Sequence, residues 1–520
     1  MKVHNGIFLL SALAMLASCG GPAPSAASSS AAPGGSTPVA SSTNPVSESG
    51  QPAPSSVVSS AEELPDNVRI SFWSTGSQGM NDTISTLARS FEKAIKDNLN
   101  KTVTVNISVE GGYDDIANKL NKGYSDGTLP NMAVAYPDTV AGIIGSEPKG
   151  KEYLYDISKY MDDPVVGFGK QSYLGDTKEA GKKDIVPAFL DEGAHFSREG
   201  IYSYPFMKSS EVMFYNKDYV ETAYSFYKPD IHGEKNIHND LSNMNWAEFE
   251  NLLTSVMEHK ADINDQLENA CYYDSDSNWF ISHMYQNEIP YTDIQDGKGV
   301  ISFESGENRT KAEDMLTSFR ALREDGRMNT KGVTGEYGSN YFKDEKILFS
   351  IGSSGGAGYQ MPEGMRPEEI DVVPVPAAKG NKAYVSQGPT LTFIKNPTYQ
   401  DDKQNDAEML YSWMFAKYLT NTENNAELCV RGSQGYIPIR YSSYETDTFM
   451  SHLNANTLYA KSGKVVINEI AGHYYNAPVF PGSAQLRDDV GGALTSVITG
   501  EKTATKALTD AIEHAKTFMK

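Results

Sequence analysis

The sequence predicts a mixed α/β protein folded as two lobes. Between residues 68 and 135 extended and helical patterns alternate as strand, helix, strand, helix, strand, the order of βαβ architecture. The stretch with globular patterning, from about residue 64 to 520, is too long for one ordinary core. No internal repeat of solenoid period occurs, so stacked copies do not explain the length.

Residues 68–73 form an apolar strand that ends at Trp73 in a loop of small residues. A helix follows with Ile84, Leu87, Phe91 and Ile95 on one face. Residues 103–109 alternate as a strand, Gly111-Gly112-Tyr113 opens a second helix, and 132–135 is a short apolar strand running into Tyr136-Pro137-Asp138. Ligands of such units sit in the loops after strand carboxyl ends, which here carry Trp73, Tyr113, Tyr136 and Asp138. Farther on, Asn245 with Glu248 reads as a capping box before a helix, and 309–325 as another helix. Residues 347–351 and 391–394 read as strands, and 406–419, 424–429, 485–499 and 504–519 as helices.

The stretch 200–217 holds two extended runs, 201–204 and 212–215, rich in aromatic and β-branched residues. Pro205 cannot donate to a sheet ladder, so the chain turns or changes sheets there. Lys208-Ser209-Ser210-Glu211 stands at the break. A hairpin with a solvated loop and a crossing between lobes both fit this pattern.

Residues 1–18 have a basic start at Lys2, an apolar run from Ile7 to Leu16 and small residues before Cys19: an export signal too short to span a bilayer, which takes ~20 residues. Leu16-Ala17-Ser18-Cys19 has the pattern of a bacterial lipobox, with Cys19 lipidated. Residues 20–60 are almost wholly Ser, Ala, Pro, Gly, Thr and Val, a composition of disordered tethers. Such a chain has ends roughly 35 Å apart, which suits a body held off a membrane. The formal charge of −22 argues against nucleic acid as a partner and against a basic membrane-binding face. After Cys19 only Cys271 and Cys429 remain, as one disulfide or two buried thiols, with no metal-ligand spacing.

Several catalytic and cofactor motifs fail on inspection. Gly145 to Lys151 has P-loop spacing but Glu152 stands where the Mg²⁺-binding hydroxyl belongs. Asp274-Ser275-Asp276 starts like a Ca²⁺ loop, yet Trp279 and Tyr285 occupy its sixth and twelfth positions. No His-Glu-x-x-His or Gly-x-Ser-x-Gly occurs, and neither cofactor nor metal is expected.

Tyr204-Pro205-Phe206, a small polar pair and Phe214-Tyr215-Asn216-Lys217-Asp218 resemble the interdomain crossing of the extracellular solute-binding proteins (family 1) of ABC importers. Within that family the chain looks most like the glycerol-3-phosphate-binding group. Gly352-Ser353-Ser354-Gly355-Gly356 resembles the group's Ser-Ser-Gly ligand loop, and Gly435-Tyr436-Ile437-Pro438-Ile439 its Gly-Tyr-Leu-Pro-Ile stretch, whose tyrosine faces phosphate. Gln485-Leu486-Arg487 and the helix after it resemble the C-terminal segment whose arginine grips phosphate. The alternatives are a flexible surface loop, a buried structural tyrosine, and an arginine paired with Asp488 or Asp489.

By the same matching Tyr113, Ser209 and Gly388 fall at ligand-facing positions, and Trp279 near a tryptophan that packs over the ligand's far end. Pro137 stands where the family has a hydroxyl-binding glutamate, with Asp138 beside it, and Lys208 and Glu211 replace uncharged residues.

The resemblance implies a two-lobed periplasmic-binding-protein-like fold of class II type, with interleaved lobes joined by a hinge. It places 66–207 plus 352–397 in one lobe and 208–351 plus 398–520 in the other, after the 1–18 signal and the 19–65 tether. It implies a monomeric, non-enzymatic receptor, anchored through Cys19 to the outer face of the cell membrane, that hands a small solute to ABC permease subunits. Glycerol-3-phosphate or a glycerophosphodiester is the preferred ligand. A neutral sugar or oligosaccharide stacked on Trp73, Tyr113, Trp279, Tyr359 and Tyr436 is the alternative. A secreted lipoprotein hydrolase is the rival from another class, told apart by turnover of glycosides or phosphodiesters.

Overall fold

The computed structural model describes residues 60–519 apart from 149, 150, 180, 400, 401 and 433. The export signal, Cys19 and most of the 19–65 tether lie outside the described residues. The fold begins before the tether boundary at 65: Leu64 is buried, and the Pro65 carbonyl accepts a hydrogen bond from the Tyr411 hydroxyl (2.6 Å).

The first of two five-stranded sheets has the order Val103–Val109, Val68–Ser74, Met132–Ala135, Thr390–Phe393, Tyr204–Pro205. Its first three strands are parallel, with Val68 opposite Val103 and Phe72 opposite Met132, and Thr390–Phe393 runs against both neighbours. Val68, Ile70 and Phe72 are buried while Arg69 between them is exposed, the period of a pleated strand. Over one face lies the helix Gln78–Leu99, started by the Ser77 side chain accepting from the Met80 N–H and docked through Ile84, Leu87, Phe91 and Ile95.

The second sheet has the order Ile370–Pro374, Glu211–Asn216, Ile347–Ser353, Asn269–Tyr273, Met328–Thr330, and only Glu211–Asn216 runs against its neighbours. The runs on either side of Pro205 thus pair in different sheets, as a crossing and not a hairpin. The crossing is laced to two other segments of the chain. Lys208 exchanges both backbone hydrogen bonds with Ile437 (3.0 and 2.7 Å), and Ser209 does so with Gln387 (2.8 and 3.0 Å).

These pairings correct the lobe boundaries. Ile370–Pro374 belongs to the second sheet, so 352–397 does not lie wholly in the first lobe; the chain leaves Ile347–Ser353 by a tight turn, Ser354–Gln360, and returns antiparallel to Glu211–Asn216. Asp402–Leu419 belongs to the first lobe. Its Phe415 ring lies 6.3 Å from Phe72 and 5.2 Å from Phe91, and Trp413 lies 5.4 Å from Tyr204. The second and third crossings therefore fall near Gln387 and Ile437, not at the 351/352 and 397/398 boundaries. Cys271 and Cys429 are both free and buried.

Candidate functional site

A cavity of about 460 Å³ opens where the three crossing segments meet. Asp138 reaches it because the strand Met132–Ala135 ends at Tyr136 and Pro137 takes the first position of the helix Pro137–Ser146. Ser209 comes from the first crossing, Ser353 from the end of Ile347–Ser353, Tyr436 from the third crossing and Arg487 from the helix Ser483–Ile498. Five of the sequence-predicted residues thus line one space. Tyr113 stands behind it, its ring 4.8 Å from that of Tyr136 and its phenol beside that of Tyr436. Burial pushes the Tyr113 and Tyr136 hydroxyls far above the ordinary phenol range, so both remain neutral donors and acceptors.

Arg487 is the cation of this wall. Its guanidinium donates to the Asn278 side-chain oxygen, and among the described residues no carboxylate comes within ion-pair distance. Burial opposes its charge, while Asp138, Tyr475, Tyr291 and Glu211 more than offset that and hold it protonated. The Asn278 amide is oriented in turn: its nitrogen donates to Glu211 (2.7 Å), which also accepts from the Tyr273 hydroxyl (2.7 Å). Burial lifts the Glu211 carboxyl to about 7, against the pull of those two bonds and of Arg487. Beside it Lys208, wholly buried, pairs with Glu192, whose carboxyl burial pushes up. The two charged residues unexpected at the crossing are thus both satisfied within the protein.

Three predicted ligand residues are placed elsewhere. Trp279 is 1% exposed and sandwiched between Tyr273 (5.7 Å) and Phe319 (4.3 Å) in the second lobe's core, so it forms no lid. Ser354 is buried and donates to the Gly435 carbonyl (3.0 Å), tying the glycine turn to the third crossing. Gly388 serves the backbone: its φ is +105° and a Cβ would meet the Met207 carbonyl at 2.4 Å. Conversely Glu192, Gln387, Tyr475 and Asn476 line the cavity and were not singled out from sequence. The pair Tyr474-Tyr475 before Asn476 was the available signal, as a short strand paired with Tyr384–Val385.

A second compartment of about 690 Å³ shares Ser353, Gly356 and Gln387 with the first. Its remaining walls come from the second lobe, with Tyr337 and Tyr359 on them.

A family model for bacterial extracellular solute-binding proteins matches residues 86–457, well over half of the chain. The chain belongs to the bacterial extracellular solute-binding proteins. It therefore works outside the cell, taking up a small solute for an ABC transporter. Among solved structures, the sugar-binding protein MalE of Xanthomonas citri is 15% identical and covers 87% of this chain and 97% of its own, with a TM-score of 0.62. The GacH receptor of Streptomyces glaucescens, solved free and with acarbose, is 15% identical over 87% of this chain and 98% of its own (TM-score 0.60). UgpB of Mycobacterium tuberculosis in complex with glycerophosphocholine is 16% identical over 86% and 98% (TM-score 0.59). Identities this low show the fold alone, the two-lobed periplasmic-binding-protein-like fold. No curated protein matches the chain in sequence.

Proposed function

We propose that this solute-binding protein captures a hydroxyl-rich solute bearing phosphate, glycerol-3-phosphate or a glycerophosphodiester, and works as a lipid-anchored receptor and not as an enzyme. One observation carries the ligand class: Arg487 faces the cavity with an amide, not a carboxylate, as its protein partner. A partly buried guanidinium fork held that way keeps donors for an anion's oxygens. Asp138, Ser209, Ser353 and Tyr436 surround it with groups suited to hydroxyls. UgpB, of the same fold, was solved with glycerophosphocholine, which supports the reading. A neutral oligosaccharide is the second reading, favoured by the second compartment and by the sugar-binding neighbours.

Calorimetric titration with glycerol-3-phosphate, glycerophosphocholine and maltose separates the two. Under the first reading the phosphate compounds bind, and Arg487→Ala weakens them by roughly 2–5 kcal/mol, at least about 30-fold. Maltose binding without phosphate binding, or an Arg487→Ala loss of only about 0.5–1.5 kcal/mol, returns the site to neutral sugars. The anchor rests on the lipobox at Cys19. Cys19→Ala is expected to move the protein from the detergent phase to the aqueous phase; a variant still in detergent ends that part of the reading.

A further inference from the structure

We propose that Glu211, which reaches the anion site through Asn278, couples solute capture to proton uptake: a phosphate group closing on Arg487 draws one proton from solvent onto the Glu211 carboxyl, so capture strengthens as the medium turns acidic. The inference rests on the reading that the solute carries phosphate against Arg487. The coupling is built from four side chains in line. Arg487 faces the cavity and donates to the Asn278 oxygen, the Asn278 nitrogen donates to Glu211 Oε1 (2.7 Å), and the Tyr273 hydroxyl donates to Oε2 (2.7 Å). The amide has one workable orientation, because turning it round would set its N–H groups against the guanidinium and its oxygen against the carboxylate. Glu211 is 3% exposed, on the strand that pairs with Ile347–Ser353, and among the described residues it makes no ion pair. Lys208, three residues before it, is committed to Glu192. A buried carboxylate with only neutral partners is costly to keep ionised, and the cation nearest to offset it is Arg487, beyond the amide.

The titratable and charged groups around Glu211 come from several elements. Tyr273 and Asp274 stand at the end of the strand Asn269–Tyr273, Arg487 on the helix Ser483–Ile498, and Tyr475 on the short strand Tyr474–Tyr475. Lys331 and Lys343 share with Glu211 the wall of the second compartment. Burial lifts the Glu211 carboxyl to about 7, against the hydrogen bonds from Tyr273 and Asn278 and the charge of Arg487, and Asp274 adds to the lift. An anion seated on Arg487 cancels the guanidinium's pull and brings negative charge of its own, so the carboxyl takes up a proton more readily. By linkage the same proton favours the anion, since a neutral Glu211 no longer offsets the guanidinium. Once protonated, Oε2 donates to the Tyr273 oxygen, whose hydroxyl turns to accept, while Oε1 goes on accepting from Asn278. The line of side chains therefore stays hydrogen-bonded in both states, and only its charge changes.

Calorimetric titration with glycerophosphocholine in two buffers of different ionisation enthalpy counts the protons. A phosphodiester does not itself titrate near neutral pH, whereas a monoester does at about 6, so protons counted with the diester belong to the protein. Uptake is expected to approach about one proton between about pH 7 and 8, with affinity falling by up to about tenfold per pH unit there. Glu211→Gln is expected to abolish the uptake and to bind about tenfold tighter than wild type at pH 8.5 while matching it at pH 5.5. Tyr273→Phe removes a charge-assisted donor and is expected to move the fall in affinity to higher pH. A further measurement needs no solute. A carboxyl raised in the folded state above its unfolded value of about 4.3 makes wild-type stability fall as pH rises through the folded value. Urea unfolding is therefore expected to show Glu211→Gln gaining on wild type between pH 5 and pH 8.5. A difference that does not change with pH shows Glu211 charged throughout and overturns the coupling whichever solute binds. Glycerophosphocholine binding without proton uptake, or uptake that survives Glu211→Gln and so comes from Asp274 or Glu192, overturns the coupling and leaves the phosphate reading standing. No binding of glycerophosphocholine or glycerol-3-phosphate removes the phosphate reading and the coupling with it.

Discussion

Arg440 and Arg487 are the same side chain put to opposite uses. Arg440 is 1% exposed, and its guanidinium donates to the carbonyls of Thr420 (2.5 Å) and Gly181 (3.0 Å) and pairs with Asp184 at 3.6 Å. It binds the start of a helix to the 181–184 turn, and its donors are spoken for. Arg487 meets one amide oxygen and a cavity. What separates a structural cation from one available to a ligand is the number of protein acceptors already on it.

The largest expected effects test this contrast on stability. Arg440→Ala removes the buried cation beside Asp184, which keeps only its two Ser442 donors, together with the bonds to the Thr420 and Gly181 carbonyls, and is expected to cost about 3–5 kcal/mol. Trp279→Ala opens a hole between Tyr273 and Phe319 and is expected to cost about 3–5 kcal/mol, with solute affinity unchanged in whatever folds. Arg487→Ala removes one hydrogen bond, to the Asn278 oxygen, and is expected to lower the unfolding free energy by only about 1 kcal/mol. Urea unfolding of the three variants breaks the contrast if Arg487→Ala falls with the other two.

The contrast was only half legible in the sequence. Arg487 and Tyr436 lie in short motifs whose neighbours fix their setting locally, so matching the motif placed them on the cavity wall. The sequence does not show where Trp279 packs, because Phe319, one of its two stacking partners, lies on another helix, and no local pattern distinguishes a stacked core indole from a lid. The strand Ile370–Pro374 gave no sign of its sheet, since pairing with Glu211–Asn216 spans more than 150 residues of chain. The helix Asp402–Leu419 is buried on nearly every side, including Glu408 and Lys417, so it has no polar face to show which lobe it packs against. The first sheet's strands and the Asn245–Glu248 capping box were legible because they depend on residues a few positions apart.

A smaller effect sharpens the contrast by converting one arginine type into the other. Asn278→Asp sets a carboxylate where Arg487 now meets an amide oxygen, so the fork becomes committed like that of Arg440. The new carboxylate also faces Glu211, now 2.7 Å from the Asn278 nitrogen. Glu211, already lifted to about 7, is placed to take up a proton and donate across that contact. Affinity for a phosphate ligand is then expected to fall by roughly 2 kcal/mol, about 30-fold, because the anion meets a neutralised fork. Titration with glycerophosphocholine checks this. Unchanged affinity would mean that Arg487 contributes no charge to the site.

The smallest effect concerns a committed pair that titrates. His238, on the helix Glu234–Ser242, lies 2.9 Å from Asp371 of the second sheet, and the Tyr215 hydroxyl donates to the same oxygen (3.1 Å). The hydrogen bond to Asp371 raises the His238 pKa above its ordinary value, helped by the acid's charge against the cost of burial. A raised histidine pKa means that the folded state binds the proton more tightly than the unfolded chain does. The stabilisation is therefore complete below the unfolded value of about 6.5 and is lost as pH rises through the folded one. Asp371 has its own pKa depressed, so its contribution is lost only as pH falls through that lower value, outside the window that concerns His238. Partial exposure of His238 limits the effect to that of ordinary ion pairs, about 0.2–1 kcal/mol. His238→Gln removes the titration, so the stability difference between wild type and variant should be largest near pH 5.5 and shrink by pH 8.5. Urea unfolding at both values checks the sign. A difference that grows with pH would show that His238 is held neutral, and this helix would then be fastened without that ion pair, by its buried Ile237 and Leu241 and by Asp240, which accepts from the Tyr224 hydroxyl and Lys228.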